Sequence, residues 1–201
     1  MISSYRLGDL FFLDLSKNEI NELMSEHPNS IGSKYYQSKY DKKNKKSNID
    51  LITEIVLDQI HKNSHLLPND ISESTLIHLR LGDVIAGNEW HEKIKRPLKI
   101  EHIKSIVEKD TNKKYVIGKC FFAKPSSTNY DECIHLSNIY LQNVINELQA
   151  VHFDSGNADI DLCCAVKCKL FIQGKGFFSK LIVEIRKNLH LECIETTTQD
   201  E

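Results

Sequence analysis

The sequence predicts an α/β fold, a parallel sheet with helices on both faces, preceded by a short and mostly helical N-terminal region. Three observations predict it. From about residue 70 onward, short apolar runs alternate with longer amphipathic ones, giving four strand–helix units in succession. Units of that kind assemble as a parallel sheet with right-handed crossovers, the helices covering both faces. The first 70 residues differ, because their apolar spacing is helical and their strand-like runs are too few for a second sheet. Residues 1–70 are therefore expected to pack as a helical region on the core, and residues 71–201 to form the sheet domain.

Taken in order, Leu10–Leu15 is a candidate strand, Lys17–Glu26 a helix, and Ile31–Lys39 a second helical piece. Ile49–Lys62 is a strong helix with Leu51, Ile52, Ile55, Val56 and Ile60 inward, and Ser47 or Asn48 can cap it. The first strand of the sheet, Leu76–Leu81, is followed by a polar loop carrying Trp90 and His91 and by a helix near Ile100–Glu108. Strand Tyr115–Phe121 leads to helix Tyr130–Leu148, strand Ala150–Asp154 to helix Asp159–Cys168, and strand Lys169–Gln173 to helix Phe177–Asn188. Ligands of such sheets sit at the carboxyl ends of the strands.

Composition narrows the function. A chain of 201 residues that is 40% hydrophobic can bury one substantial core. A net charge of -2 argues against general affinity for nucleic acid or an anionic membrane. The lysine-dense stretch Lys39–Lys46 is interrupted by Asp41 and Asn44 and reads as a solvated loop. No uninterrupted apolar run is long enough to span a bilayer, and Met1–Asp14 carries Arg6, Asp9 and Asp14 where a signal peptide needs an apolar centre. Cys120, Cys133, Cys163, Cys164, Cys168 and Cys193 form no Cys-x-x-Cys pairs and read as small buried hydrophobes. The expected location is the cytoplasm.

Chemistry is expected first at Thr75–Val84, an apolar strand-like run that contains His78 and Arg80. Arginine is scarce in this lysine-rich chain, and strand alternation points His78 and Arg80 to one side and Ile77, Leu79 and Leu81 to the other. A guanidinium placed there needs an anion, either a carboxylate of the protein or a bound phosphate. The second feature is Gly174-Lys175-Gly176-Phe177-Phe178-Ser179-Lys180, at the last strand-to-helix junction. Glycines there let the backbone turn tightly, the first amides of the next helix face outward, and the Ser179 hydroxyl is an added donor. The spacing matches neither a Walker loop nor the dinucleotide fingerprint, and an ordinary turn would also account for it. Both features fall at carboxyl ends of strands, where Arg80 and the 174–179 turn can hold one diphosphate.

The run His78-Leu79-Arg80-Leu81-Gly82-Asp83 resembles the His-x-Arg-x-x-Asp motif of the fucosyltransferase superfamily that includes the alpha-1,2, alpha-1,6 and protein O-fucosyltransferases. A looser second match runs through Asp161-Leu162, Phe171-Ile172, Gly174 and Phe178-Ser179, and the resemblance covers about residues 70–188. It implies a Rossmann-like, GDP-sugar-binding half of a GT-B fold. Arg80 would then grip the β-phosphate and stabilise the leaving GDP without a metal or any further cofactor. His78 would support the nucleotide, a core histidine being the alternative. Asp161 would accept hydrogen bonds from guanine, or simply favour a helix N-terminus. Ser179, with the amides of Phe178 and Ser179, would bind phosphate oxygens next to Gly174 and Gly176. Asp83 would act as general base or cap the loop after the strand, and Trp90 and His91 would touch the acceptor.

The chain departs from that pattern in two places. Leu81 stands where many members carry a second basic residue, and Arg6-Leu7-Gly8-Asp9 is only a weak echo of the glycine-rich loop of an acceptor domain. The expected function is metal-independent transfer of a sugar, fucose first, from a GDP-sugar to a hydroxyl of a glycan or protein acceptor. The alternative is a non-catalytic GDP-sugar or phosphate-binding module that serves in binding or assembly. A homo-oligomer is a further expectation, since a second subunit can complete the acceptor surface.

Overall fold

A computed structural model describes residues 17–40, 46–82, 84–85, 97–121 and 130–196. The expected strand Leu10–Leu15, the weak glycine loop Arg6–Asp9, the centre of the lysine stretch, Asp83, Trp90 and His91 lie outside the described residues. The described elements are α1 (Lys17–Glu26), α2 (Ile31–Tyr40), α3 (Asn48–Lys62), β1 (Thr75–His78), β2 (Leu81–Gly82), α4 (Ile100–Val107), β3 (Lys114–Ile117) and β4 (Cys120–Phe121). They continue with α5 (Tyr130–Leu148), β5 (Val151–His152), α6 (Ala158–Lys167), β6 (Leu170–Ile172), α7 (Phe177–Asn188) and β7 (Cys193–Ile194). The fold is α/β, with a five-stranded sheet in the order β5-β3-β1-β6-β7 in which every pair is parallel.

Alternation along the strands divides the core into two layers. Leu76, Tyr115, Ile117 and Phe171 face a layer built by α1, α2, α3, α6 and α7. Ile77, Leu79, Leu81, Val116 and Ile172 face α4 and α5. Central strands β1 and β6 are thus buried on both sides, which is why they read as continuous apolar runs rather than as alternating ones. Each fully buried Leu, Ile or Phe contributes roughly 1.5–3 kcal/mol, so the two layers together hold the sheet in place.

Local signals set the helix ends. Ser47 caps α3, its side chain accepting from the Asp50 amide, and Asp50 in the first turn with His61 and Lys62 in the last complement the helix dipole. Asn157 caps α6 in the same way, accepting from the Asp159 amide. Asp159 also receives the Ile31 amide at 2.9 Å, which ties α6 to the start of α2. Ile20, Ile31, Tyr35, Tyr36, Leu51, Ile52 and Val56 put α1–α3 into the same buried cluster as the sheet. Among the described residues no helix is long and apolar enough to cross a membrane.

Three details differ from the sequence expectation. The first and second strands each divide, at Leu79-Arg80 and at Gly118-Lys119, and resume as the separate pair β2–β4. The Leu79 amide still donates to Ile117 O at 2.8 Å, so the chains stay side by side across the break. A fifth strand, β7, pairs with β6, and Cys193–Ile194 is too short to show periodicity. The third strand shortens to Val151–His152 because Ala150 and Asp154 fall outside the ladder with β3.

Candidate functional site at the carboxyl edge of the sheet

From β1 the chain moves outward to β3 and β5, then crosses back to β6 on the other side of β1 and on to β7. The strand order therefore reverses between β1 and β6. In open parallel sheets the crevice beyond the strand ends at such a reversal is where ligands bind. Arg80 follows β1 and Gly174–Ser179 follows β6, so both sequence features lie at that reversal.

Contacts join them. His78, the last residue of β1, is buried, and its Nδ1 lies 2.6 Å from the Ser179 Oγ at the start of α7. The Gly174 amide donates to the same Oγ at 3.0 Å. The Phe178 ring packs on the imidazole at a centroid distance of 5.3 Å. A Cβ placed on Gly174 would lie 2.2 Å from His78 O and 2.6 Å from His78 Nδ1, so only glycine lets the loop approach β1 this closely. Gly176 has φ of 101°, a backbone region that glycine alone adopts freely, and a Cβ placed there would lie 3.7 Å from Arg80 Cδ. The Arg80 side chain thus runs alongside the glycine turn.

The electrostatics are dominated by that guanidinium. Burial, reinforced by the Arg80 charge, depresses the His78 pKa to about 3, so the imidazole is neutral at ordinary pH. Arg80 is partly exposed and interacts with other groups of the chain. The Ser179 hydroxyl, expected to face phosphate, is instead fully buried and engaged with His78 and Gly174. This side chain is therefore not presented to solvent as a donor.

Asp161 sits elsewhere on the same edge. It is buried in the first turn of α6 and bonded to the Ser155 hydroxyl. Burial raises its pKa to about 6 against the Ser155 bond and the Lys119 charge, with Asp154 adding to the rise. Lys119, which follows β3, pairs with Asp154, which follows β5, at 3.1 Å. The sequence reading missed this pair and Ser155, although each lies within three residues of a strand's carboxyl end, where the site was expected. It also missed Ser137, a fully buried side chain on α5 that accepts the Gly82 amide at 3.0 Å and holds β2 beside the crevice.

None of the six cysteines is in a disulfide, and burial raises the Cys163 thiol to about 12 and the Cys168 thiol to about 11, which disfavours the nucleophilic thiolate at both. A groove of about 580 Å³ lies between the start of α3, the outer face of α7 and the end of β7, lined by Ile49, Gln173, Lys180, Val183, Glu184 and Glu195 among others. His78, Arg80 and residues 174–179 are not among its lining residues.

No family model matches the chain, and no curated protein matches it in sequence. Among solved structures it is similar to the crystal structure of POFUT1 in its apo form (crystal form I), with a TM-score of 0.41 and 12% identity. That match covers 72% of this chain and 48% of the other, so the chain spans about half the length of that structure. A likeness of this degree assigns no residue a role.

Proposed function

We propose that the chain binds a GDP-sugar in the crevice between β1 and β6 and transfers the sugar, fucose first, to a hydroxyl of a glycan or protein without a metal. The observation that carries this reading is the convergence of Arg80 with the Gly174–Gly176 turn at the point where strand order reverses. The resemblance of His78–Asp83 to the His-x-Arg-x-x-Asp motif supports the choice of donor. In the step proposed, the bond between the sugar C1 and the β-phosphate oxygen breaks with its electron pair leaving on GDP. The acceptor oxygen bonds C1 and gives its proton to a base, for which Asp83 is the candidate. Arg80 and the amides of the turn offset charge developing on the diphosphate.

A second reading is a module that binds the nucleotide sugar without turning it over. It is favoured by the described part of residues 17–62, which forms a helical layer of the one core rather than an acceptor-binding sheet. We place either activity in the cytosol, consistent with six cysteines none of which is in a disulfide.

Calorimetric titration with GDP, GDP-fucose, UDP and ATP tests the reading. GDP and GDP-fucose are expected to bind, UDP and ATP to bind weakly or not at all, and EDTA to change nothing. Arg80→Ala is expected to lower GDP affinity by roughly tenfold or more, the worth of a charge-assisted hydrogen bond. Absence of binding by every nucleotide would reject both readings, and turnover of GDP-fucose with a glycan acceptor separates the transferase from the module.

A further inference from the structure

We propose that Ser179 is a positioning residue and not a phosphate ligand: by donating its proton to His78 it fixes that imidazole as an Nε2–H donor for the diphosphate. The inference deepens the GDP-sugar reading and rests on it.

Counting protons at one buried hydroxyl gives the assignment. An amide can only donate, so the Gly174 N–H at 3.0 Å occupies an acceptor position of Ser179 Oγ. The 2.6 Å contact to His78 Nδ1 is then made in one of two ways. If Nδ1 carried the proton, Oγ would accept twice and its own hydrogen would be left over in a fully buried position. Among the described residues this hydroxyl has no other hydrogen-bond partner, and a stranded buried donor costs about 1–3 kcal/mol. If Ser179 donates to Nδ1, every group is satisfied. The neutral ring must then hold its proton on Nε2.

The surroundings keep the ring in that state. Gly174 closes against His78 so tightly that no side chain fits between them, and Phe178 packs on the imidazole. The doubly protonated form is disfavoured by burial and by the neighbouring Arg80 charge. Strand alternation puts His78 and Arg80 on one side of the chain, facing the turn before α7. The crevice then presents a cationic donor and a neutral donor from one strand. A diphosphate offers only acceptors at neutral pH, so it complements an Nε2–H and is repelled by an Nε2 lone pair.

Long-range proton–nitrogen spectra of the ¹⁵N-labelled protein, with calorimetric GDP titration of the wild type and Ser179→Ala, test this. The wild type is expected to show His78 protonated on Nε2 and unchanged from pH 5 to 8. In Ser179→Ala the ring should move to the Nδ1–H form or a mixture, and GDP affinity should fall roughly tenfold, the worth of one hydrogen bond to a charged group. A wild-type ring protonated on Nδ1 overturns the proposal, and needs no variant that folds. So does unchanged GDP affinity in a folded Ser179→Ala protein whose parent binds GDP. Failure of the parent to bind GDP is a distinct result, which overturns the GDP-sugar reading and this inference with it.

Discussion

Gly174 shows how a residue read correctly by type serves a different neighbour. Its sequence context suggests a backbone approaching a ligand, whereas the structure brings that backbone against His78 of the adjacent strand. The nearest atom to an added methyl is a main-chain oxygen at the end of a buried strand, which cannot swing aside as a flexible side chain does. Gly174→Ala is therefore expected to cost about 1–3 kcal/mol, as overpacking does, with a lowered urea midpoint, and to weaken GDP binding by displacing the turn. Unaltered stability and affinity would show that the turn is not anchored on β1. The His78–Ser179 contact itself was not legible, because it joins positions 101 residues apart and exists only once β6 lies beside β1. That His78 and Arg80 share a side was legible, since it follows from alternation alone.

At the scale of elements, the four strand–helix units could be read from periodicity because each buries an apolar stripe of its own. Strand β7 could not, and Arg186 explains what holds it. This side chain is fully buried on α7 with no carboxylate partner among the described residues. Its guanidinium donates to the Ala165, Val166 and Cys168 carbonyls at 2.8, 3.0 and 2.9 Å, to Lys169 O at 2.9 Å and to Glu192 O. It thus satisfies the carboxyl end of α6, where a cation is favoured by the dipole, and fastens the residue before β7. A buried guanidinium was expected to need an anion, and a cluster of helix-end carbonyls meets the same requirement. Arg186→Met should strand several buried carbonyls and cost about 3 kcal/mol or more at about 1–3 kcal/mol per group. Arg186→Lys should recover only part, since an ammonium has fewer donors and no planar fork. Denaturant midpoints check the ranking, and equal loss in both variants would count against the carbonyl-capping account.

For the whole molecule, two buried groups near the proposed crevice pull stability in opposite directions with pH. Asp161 has its pKa raised from 3.8 to about 6, so the folded state holds this proton more tightly than the unfolded chain. Its contribution is fully present below pH 3.8 and is lost as pH rises through about 6, roughly 3 kcal/mol at 1.36 kcal/mol per unit. His78 is lowered from 6.5 to about 3, so here the unfolded chain holds the proton more tightly. Stability from the neutral imidazole is full above pH 6.5 and declines as pH falls toward 3. Between pH 4 and 6 the two slopes oppose each other. Asp161→Asn removes one of them, and it should raise stability above pH 6 while exposing a decline of up to about 1.4 kcal/mol per pH unit on acidification. Urea unfolding across pH 4–8 measures both curves, and parallel profiles for the two proteins would refute the assignment. A carboxylate kept buried at a cost to the free fold is explained if a ligand repays it with N–H donors, as guanine would in the role that the fucosyltransferase resemblance implies for Asp161. GDP affinity should then rise with pH through about 6 as Asp161 ionises, and in Asp161→Asn it should be weaker and lose that dependence.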